Sequence, residues 1–177
     1  VKSDRNLGFS GGNNLGVKHA GGDYYLFINN DVTFDTDMIE PLLACFARSE
    51  KIGAVSPSIY DSETHRLIFS GVRPLGKFLI RINYIEEEAE SQEIPLAIGT
   101  AVMVRKKVYD QTGGWPELYF LYEEELDWSL NIVRCGYTIW YEKDSAIYHK
   151  GSMTTGKESL LQQYYLTRNR LLLYKRN

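Results

Sequence analysis

Polar side chains follow a short apolar run near the start of the chain. Residues 24–28 predict a strand buried on both faces, and Asn29, Asn30 and Asp31 come directly after it. Ligands of open α/β sheets gather at such strand ends, and a carboxylate there is a hard ligand for Mg²⁺ or Mn²⁺ carrying phosphate oxygens. A simple polar turn is the alternative interpretation, because Asn and Asp are common in turns.

A second acidic cluster opens a predicted helix over residues 123–135 and consists of Glu123, Glu124, Glu125 and Asp127. A helix N-terminus stabilises negative charge, so the cluster needs no catalytic role. The aromatic residues before it are Trp115, Tyr119, Phe120 and Tyr122. Such rings can raise the pKa of a carboxyl group and make it a better general base, although core packing explains them equally well. The helical period puts Glu124 and Asp127 on one face and turns Glu125 about 100° away.

His149 and a glycine-rich segment are two further candidates for binding. His149 stands between a predicted strand and the Gly/Ser/Thr-rich residues 151–156, whose backbone N–H groups suit an anion, although a lone His is more often a surface or core residue. Gly11, Gly12 and Asn13 belong to residues 6–16, where glycines permit close approach of a ligand to the backbone. This segment matches neither a P-loop nor the Rossmann order of glycines.

Helix and strand patterns alternate along the chain, which predicts one α/β domain over residues 1–177. Helices are predicted up to residue 19 after a loop at 10–14, over 37–48 with Thr36 as N-cap, after residue 104 up to Gly113, over 123–135 and over 158–175. Strands are predicted at 24–28, 52–56, 66–69, 78–84, 97–104, 137–141 and 146–148. The acidic residues 86–90 predict a solvated loop.

Composition bounds the class of protein. The chain is 44% hydrophobic and 24% charged, as in soluble globular proteins, and its net charge of -3 gives no reason to expect nucleic-acid binding. Cys45 and Cys135 lie among apolar residues, so we expect buried free thiols, which fit a reducing compartment. No apolar run approaches the roughly 18 residues of a membrane span. Because the chain starts with Val1 inside what reads as a motif, we expect a fragment.

The order of these motifs resembles family 2 glycosyltransferases, particularly the branch with rhamnosyltransferases and galactofuranosyltransferases. The resemblance covers nearly the whole chain and rests on residues 5–16, 29–31, 99–104, 113–115 with the aromatic-acidic stretch, 136–137 with His149, and 164–169. It implies a GT-A fold, a Rossmann-like mixed sheet flanked by helices. The first ~60 residues of a typical member, a strand, helix and strand that bind the nucleotide, have no counterpart here, so the resemblance implies an N-terminally truncated domain.

The resemblance also implies roles for individual residues. Asp31 and His149 would hold a divalent metal, Mn²⁺ or Mg²⁺, and Glu125 would be the catalytic base. Glu124 would be its acidic partner, and Asp127 would bind the acceptor or support the helix start. Nucleotide-sugar contacts would come from Asn29, Asn30, Gly11, Gly12 and Asn13, and further substrate contacts from Gly99, Thr100, Trp115 and Tyr122. Asn29 replaces the first acid of the family motif, and Glu125 replaces an Asp, which extends the base by one methylene.

The activity implied by the resemblance is inverting transfer of a sugar from a nucleoside diphosphate sugar to a carbohydrate or lipid-linked acceptor. It would serve polysaccharide or glycolipid synthesis in the cytoplasm, at the inner face of the membrane and in peripheral association with it. A degenerate carbohydrate- or nucleotide-binding module without catalysis is the alternative. A sugar-phosphate nucleotidyltransferase would need a basic, glycine-rich phosphate loop, and residues 3–16 offer only Arg5. The donor sugar and the acceptor stay open.

Overall fold

Seven strands pair into one mixed sheet in the computed structural model, which describes residues 1–73, 83–151 and 159–177. The strands are β1 Tyr24–Ile28, β2 Val32–Thr33, β3 Ile52–Asp61, β4 Leu67–Phe69, β5 Gln92–Ile94, β6 Ala101–Arg105 and β7 Thr138–His149. The helices are α1 Gly8–Val17, α2 Ile39–Ala47, α3 Lys106–Thr112, α4 Glu124–Arg134 and α5 Leu160–Arg176. The predicted fold class, a mixed sheet flanked by helices, is confirmed.

The sheet runs in the order β1-β6-β3-β7-β2, with β4 paired to β3 and β5 paired to β7. Strands β3 and β7 are parallel, whereas the other strand pairs are antiparallel. The pairing of β3 with β7 shifts from Pro57 with Glu142 to Ser58 with Ala146. Residues 143–145 therefore bulge out of the ladder, and the two strands predicted at 137–141 and 146–148 are one irregular strand.

The core between the sheet and its helices is rich in aromatic rings. Trp115 and Trp128 pack with ring centroids 4.2 Å apart, and Phe27 of β1 contacts both rings edge-on. Trp115 is only 1% exposed. Its predicted contact with substrate is therefore corrected to a core role: the ring lies beneath the sheet surface, and its neighbours are other core side chains.

Several element ends differ from the predictions because side chains outside the periodic pattern set them. Helix α2 is preceded by Asp37, whose carboxylate accepts hydrogen bonds from the backbone N–H groups of Ile39 and Glu40, so Thr36 is not the cap. Strand β3 continues to Asp61, beyond the predicted residue 56. Cys45 is buried as predicted, but Cys135 is partly exposed at the end of α4.

The last helix begins two residues after its predicted start. Ser159 caps it by accepting a hydrogen bond from the backbone N–H of Gln162. Residue 158, most of the loop at 151–156 and residues 78–82 of a predicted strand lie outside the described residues. The acidic residues 86–90 are largely exposed, and three of them pair with Arg66, Arg73 and Lys143. No helix in the described ranges has the length and apolar character needed to cross a membrane.

Candidate active site

A cavity of about 690 Å³ opens at the edge of the sheet where β1 and β7 end and β6 begins. The predicted site residues that line it are Asn29, Asn30, Asp31, Gly99, Thr100, Tyr122, Glu124, Glu125 and His149. They come from four separate parts of the chain, which the sheet brings together. The backbone N–H of Asn29 donates to the carbonyl of Thr100 at 3.0 Å and so joins the end of β1 to the segment before β6.

Asp31 and His149 are neighbours on one wall of this cavity. Strand β2 pairs Val32 with His149, and the backbone N–H of Lys150 donates to the carbonyl of Asp31 at 3.2 Å. This register brings Nε2 of His149 to 3.2 Å from Oδ1 of Asp31, with both side chains at most one-fifth exposed. The two side chains thus present an imidazole nitrogen and a carboxylate oxygen to the same space.

The Asp31–His149 pair has the donor types that a divalent metal accepts. No group of three or more His, Cys, Asp or Glu side chains that could hold a metal ion occurs in residues 1–73, 83–151 or 159–177. Mg²⁺ in enzymes that act on phosphates is commonly held by one or two carboxylates, with water and substrate phosphate oxygens completing its coordination. Two protein donors at a cavity wall therefore fit an ion that arrives with a diphosphate.

Glu124 and Glu125 reach the cavity from the first turn of α4. Both carboxylates face it because the cavity meets the N-terminal end of the helix rather than its side. The predicted pairing of Glu124 with Asp127 on one face is corrected accordingly. Asp127, one turn further along, faces α5, where its oxygens accept hydrogen bonds from Arg176 at 3.1 Å and Asn177 at 2.9 Å. Asp127 therefore supports the packing of α4 on α5 and does not line the cavity.

Burial and neighbouring charges raise the pKa of both cavity glutamates. Burial, then the charges of Glu125 and Glu123, raise the pKa of Glu124 to about 9. Burial and the charge of Glu123 raise the pKa of Glu125 to about 7, against the opposing effect of its backbone hydrogen bond. Near neutral pH the pair therefore retains a proton and still offers a carboxylate that can accept another, the condition that suits a general base.

The loop before α4 is strained. Phe120, Tyr122 and Glu123 have φ angles of 65°, 70° and 69°, and none of them is glycine. Side chains other than Gly, Asn and Asp seldom occupy this region, and such strain costs on the order of 1–3 kcal/mol per residue. Strained backbone clusters at functional sites, and here it immediately precedes the glutamate pair.

The glycine-rich segment packs against this strained loop. The backbone N–H of Phe9 donates to the carbonyl of Phe120 at 2.7 Å. Gly8 has a φ of +70°, and a Cβ at this position would lie 2.2 Å from that carbonyl oxygen. Gly8 and Phe9 also line the cavity, whereas Gly11 is buried near Leu7 and Glu117, and Gly12 and Asn13 line a separate hollow beside β1. The ligand contacts expected of Gly11, Gly12 and Asn13 stay a prediction.

An apolar wall completes the cavity, and of its members only Phe120 was among the aromatic residues predicted to lie beside the glutamates. It consists of Ile59, Ile68, Phe69, Tyr84, Phe120 and Leu121. Burial and the charges of Glu125 and Glu123 raise the pKa of the Tyr84 hydroxyl well above its usual range. The strand predicted at 66–69 was the available signal, but only its pairing with β3 directs Phe69 and its neighbours towards the glutamates.

Comparison with known proteins agrees with this arrangement. A family model described as "Glycosyl transferase family 2" matches residues 1–113. An N-acetylglucosaminyl-diphospho-decaprenol L-rhamnosyltransferase of Mycobacterium tuberculosis is 28% identical over 152 aligned positions, and the alignment covers 77% of this chain and 50% of that protein. The low-salt glycan biosynthesis hexosyltransferase Agl10 of Haloferax volcanii is 26% identical over 187 aligned residues, covering 97% of this chain and 58% of that protein.

A solved structure shares the fold. The crystal structure of GalNAc-T7 with UDP, GalNAc and Mn²⁺ superposes with a TM-score of 0.73 over 95% of this chain and 35% of that chain, at 14% identity. The predicted GT-A fold is confirmed. The chain spans about half the length of the curated relatives that it matches. Since the family match covers more than half of the residues, from the glycine-rich segment through the strand end at Asp31 to Gly113, the chain belongs to glycosyl transferase family 2.

Proposed function

We propose that this chain forms the catalytic part of an inverting glycosyltransferase that moves a sugar from a nucleoside diphosphate to an acceptor hydroxyl. One observation carries the proposal: Glu125, with a pKa near 7, lines the same cavity as Asp31 and His149. Direct sugar transfer requires a general base and a site for a diphosphate, and the residues proposed for both line one cavity of about 690 Å³.

In the proposed reaction, Glu125 takes the proton of the acceptor hydroxyl, and the acceptor oxygen forms a bond to C1 of the donor sugar. The bond from C1 to the diphosphate oxygen breaks, and its electron pair leaves with the nucleoside diphosphate. A single displacement inverts the configuration at C1. Glu124, kept protonated by burial, would donate a hydrogen bond to a sugar oxygen rather than compete for the proton. General-base assistance of this kind contributes about 10²–10⁴ in rate.

Asp31 and His149 are the residues that would hold a divalent metal in this scheme. When bound, such an ion neutralises the negative charge that grows on the leaving diphosphate. Both side chains are held in place without a ligand. The backbone hydrogen bond from Lys150 to Asp31 and the register of β2 with β7 fix the two metal donors relative to the cavity.

The acceptor in this proposal is a carbohydrate hydroxyl, free or carried on a lipid. The apolar wall formed by β4 and the loop before α4 supports an acceptor that brings an apolar face or lipid portion beside Glu125. The names of the two relatives, which mention a decaprenol-linked substrate and glycan biosynthesis, support the same class. Exposed apolar side chains on α5 support peripheral contact with the membrane that would carry such an acceptor; they are Leu160, Leu161, Tyr164, Leu171 and Tyr174.

The test is an assay of sugar transfer by the intact polypeptide that contains this chain. Nucleoside diphosphate sugars would be offered with soluble saccharides or with polyprenyl-diphosphate-linked sugars in vesicles, with and without Mn²⁺. We expect transfer with inverted configuration from at least one donor, and stimulation by Mn²⁺. Binding of a donor without transfer to either acceptor class would contradict the proposal and favour a binding module.

A matched pair of aspartate variants tests the role of the cavity wall in the same assay. Asp31→Ala removes one of the two donors, so we expect it to abolish Mn²⁺-dependent binding of the nucleotide in calorimetry. Asp35→Ala removes an exposed carboxylate a few residues later, which does not line the cavity, and should bind as the parent does. Equal Mn²⁺-dependent binding by both variants would exclude Asp31 from the site.

A further inference from the structure

We infer that Asn169 of α5 is a positioning residue that holds residues 119–123 in their strained conformation and thereby aims the carboxylates of Glu124 and Glu125 into the cavity. The inference rests on the proposed function of Glu125. It concerns a side chain that does not line the cavity and that acts only through the loop.

The side chain of Asn169 is fully buried beneath the loop. Its Nδ2 lies 3.0, 2.7 and 2.8 Å from the carbonyl oxygens of Tyr119, Leu121 and Tyr122. The amide has two hydrogens, so the three carbonyls share them. Nη1 of Arg168 donates to Oδ1 of Asn169 at 2.7 Å, which fixes the oxygen end of the amide and leaves the nitrogen end for the carbonyls.

These carbonyls converge because of the strained turn. Phe120 lies between the bonded carbonyls of Tyr119 and Leu121, and Tyr122 itself carries the third bonded carbonyl. Both residues have a positive φ, as does Glu123, which follows directly. Without the amide, the converging carbonyl dipoles would repel one another, and nothing would offset the strain. Because Glu124 is the first residue of α4, relaxation of this turn would displace both glutamates.

Three further side chains of the same helix contact the loop. Arg170 donates to Oε1 of the buried Glu123 at 2.7 Å, and Arg168 donates to the carbonyls of Leu118 at 3.1 Å and Tyr119 at 3.5 Å. The rings of Phe120 and Tyr165 stack with centroids 5.3 Å apart. Asn169 differs from these side chains because its amide bonds carbonyls on both sides of Phe120. It therefore controls the conformation of the turn as well as its location.

The pKa of Glu125 distinguishes a positioning role of Asn169 from a general contribution of Asn169 to stability. Among the described residues, the titratable groups around Glu125 are Glu123 and Glu124 on its own segment, Tyr84, Tyr122, Asp31 and His149 in the same cavity, and Arg170 of α5 bound to Glu123. If the turn relaxes, Glu125 gains water and its pKa falls towards the ordinary value of a glutamate. A variant that is merely less stable loses active molecules without changing this acidity.

The experiment replaces Asn169 with Asp, which keeps the shape but turns a donor into an acceptor facing three carbonyls. We expect kcat for sugar transfer to fall about 10–100-fold, as displacements of about 1 Å do in other active sites. In Asn169→Ser, which adds no charge beside the glutamates, we also expect the midpoint of the acidic limb of the kcat/KM pH profile to move to lower pH. Asn131→Asp is the matched control: Asn131 also donates from a helix to a backbone carbonyl, that of Thr112 at 2.9 Å, but outside the cavity. Its pH midpoint should stay at the parental value.

A second variant and a second measurement cover the case in which the aspartate does not fold. Asn169→Ser retains a small donor, and amide hydrogen exchange reports the turn without any assay of activity. We expect faster exchange at residues 120–125 and unchanged exchange at residues 128–134 of the same helix. Parental exchange, rate and pH midpoint in a folded Asn169 variant would overturn the inference, as would a rate loss that follows the folded fraction with no shift of the midpoint.

The two proposals fail differently. Suppose that the parent transfers sugar and Glu125→Gln does not. Asn169 variants that behave like the parent would then disprove only the positioning role of Asn169. If Glu125→Gln transfers sugar like the parent, the proposed base is wrong. Hydrogen exchange at residues 120–125 then still decides whether Asn169 holds the turn.

Discussion

Glu124 and Glu125 are identical side chains in adjacent positions that differ in their surroundings. Glu124 is 4% exposed, and its Oε2 has no hydrogen-bond partner among the described residues, whereas Glu125 is partly open to the cavity. Burial disfavours the charged form of both carboxyl groups, and for Glu124 the charge of Glu125 adds to this effect. The proposed roles of the two glutamates therefore rest on their surroundings rather than on residue type.

Replacing Glu124 with Gln tests this difference through stability. The pKa of Glu124 is raised from 4.5 to about 9 by burial, so between these values the native state binds more protons than the unfolded state. Stability then falls as pH rises across this window, and Gln removes the cost. We therefore expect Glu124→Gln to be more stable than the parent at pH 8 and to match it near pH 4.

Urea unfolding at the two pH values measures this effect. Glu93→Gln provides the control, since Glu93 is an exposed residue of β5, and it should leave the pH dependence of stability unchanged. A Glu124→Gln protein with no gain at pH 8 would show that the carboxyl is not desolvated in the native state.

The chemistry of single residues was only partly predictable. Asp31 was a candidate because a carboxylate at a strand end carries a local signal, whereas Glu125 was assigned as the base through the family resemblance. Trp115 and Asp127 carry the same kinds of signal but lie in the core and against α5, because packing rather than residue type decides which way a side chain points. The role of Asn169 could not be derived, since its partners are about 50 positions away in sequence.

The approach of α1 to the loop before α4 is the contact between elements that most constrains the site. Gly8 begins α1 with a positive φ, and its lack of a side chain lets the Phe120 carbonyl come close enough to bond the N–H of Phe9. Helices α1 and α5 thus hold the same loop at two points, one through a backbone bond and one through Asn169.

A pair of glycine substitutions tests this contact. Gly8→Ala places a Cβ 2.2 Å from the Phe120 carbonyl oxygen and has an unfavourable φ of +70°, so we expect a loss of more than about 1 kcal/mol in unfolding free energy and lower activity. Gly12→Ala adds a Cβ inside α1 with no atom within 4 Å, and helix propensity predicts a gain of about 0.5–1 kcal/mol. Denaturant unfolding of both variants checks the prediction, and equal stability would contradict it.

Element types were more predictable than element ends. The apolar run of β1 and the periodicity of α4 identify them, because each buries a regular pattern of side chains. Helix α5 is identified by the spacing of its apolar residues, although Leu160, Leu161, Tyr164 and Leu171 of that pattern are exposed. The single strand β7 was predicted as two, since the bulge at residues 143–145 interrupts the apolar pattern while the pairing with β3 continues on both sides. A cap such as Asp37 depends on one side-chain hydrogen bond, which the periodicity does not contain.

Across the whole molecule, the candidate site is built from segments that are far apart in sequence. The ends of β1 and β7, the start of α4 and the segment before β6 meet around one cavity, and the sheet order β1-β6-β3-β7-β2 produces this meeting. The order of motifs predicted the convergence through the family resemblance. The apolar wall was not predicted, because it depends on how β4 pairs with β3 at an irregular register.

The comparison of Glu125→Gln with the parent is the decisive measurement for the proposed reaction. In the intact polypeptide, the initial rate of sugar transfer and the dissociation constant of the donor nucleotide with Mn²⁺ would be measured side by side. We expect the rate to fall by about 10²–10⁴ while donor binding stays within about twofold, because the base acts on the acceptor and not on the diphosphate. A Glu125→Gln protein that transfers sugar at the parental rate would contradict the assignment of the base and with it the reaction proposed for this cavity.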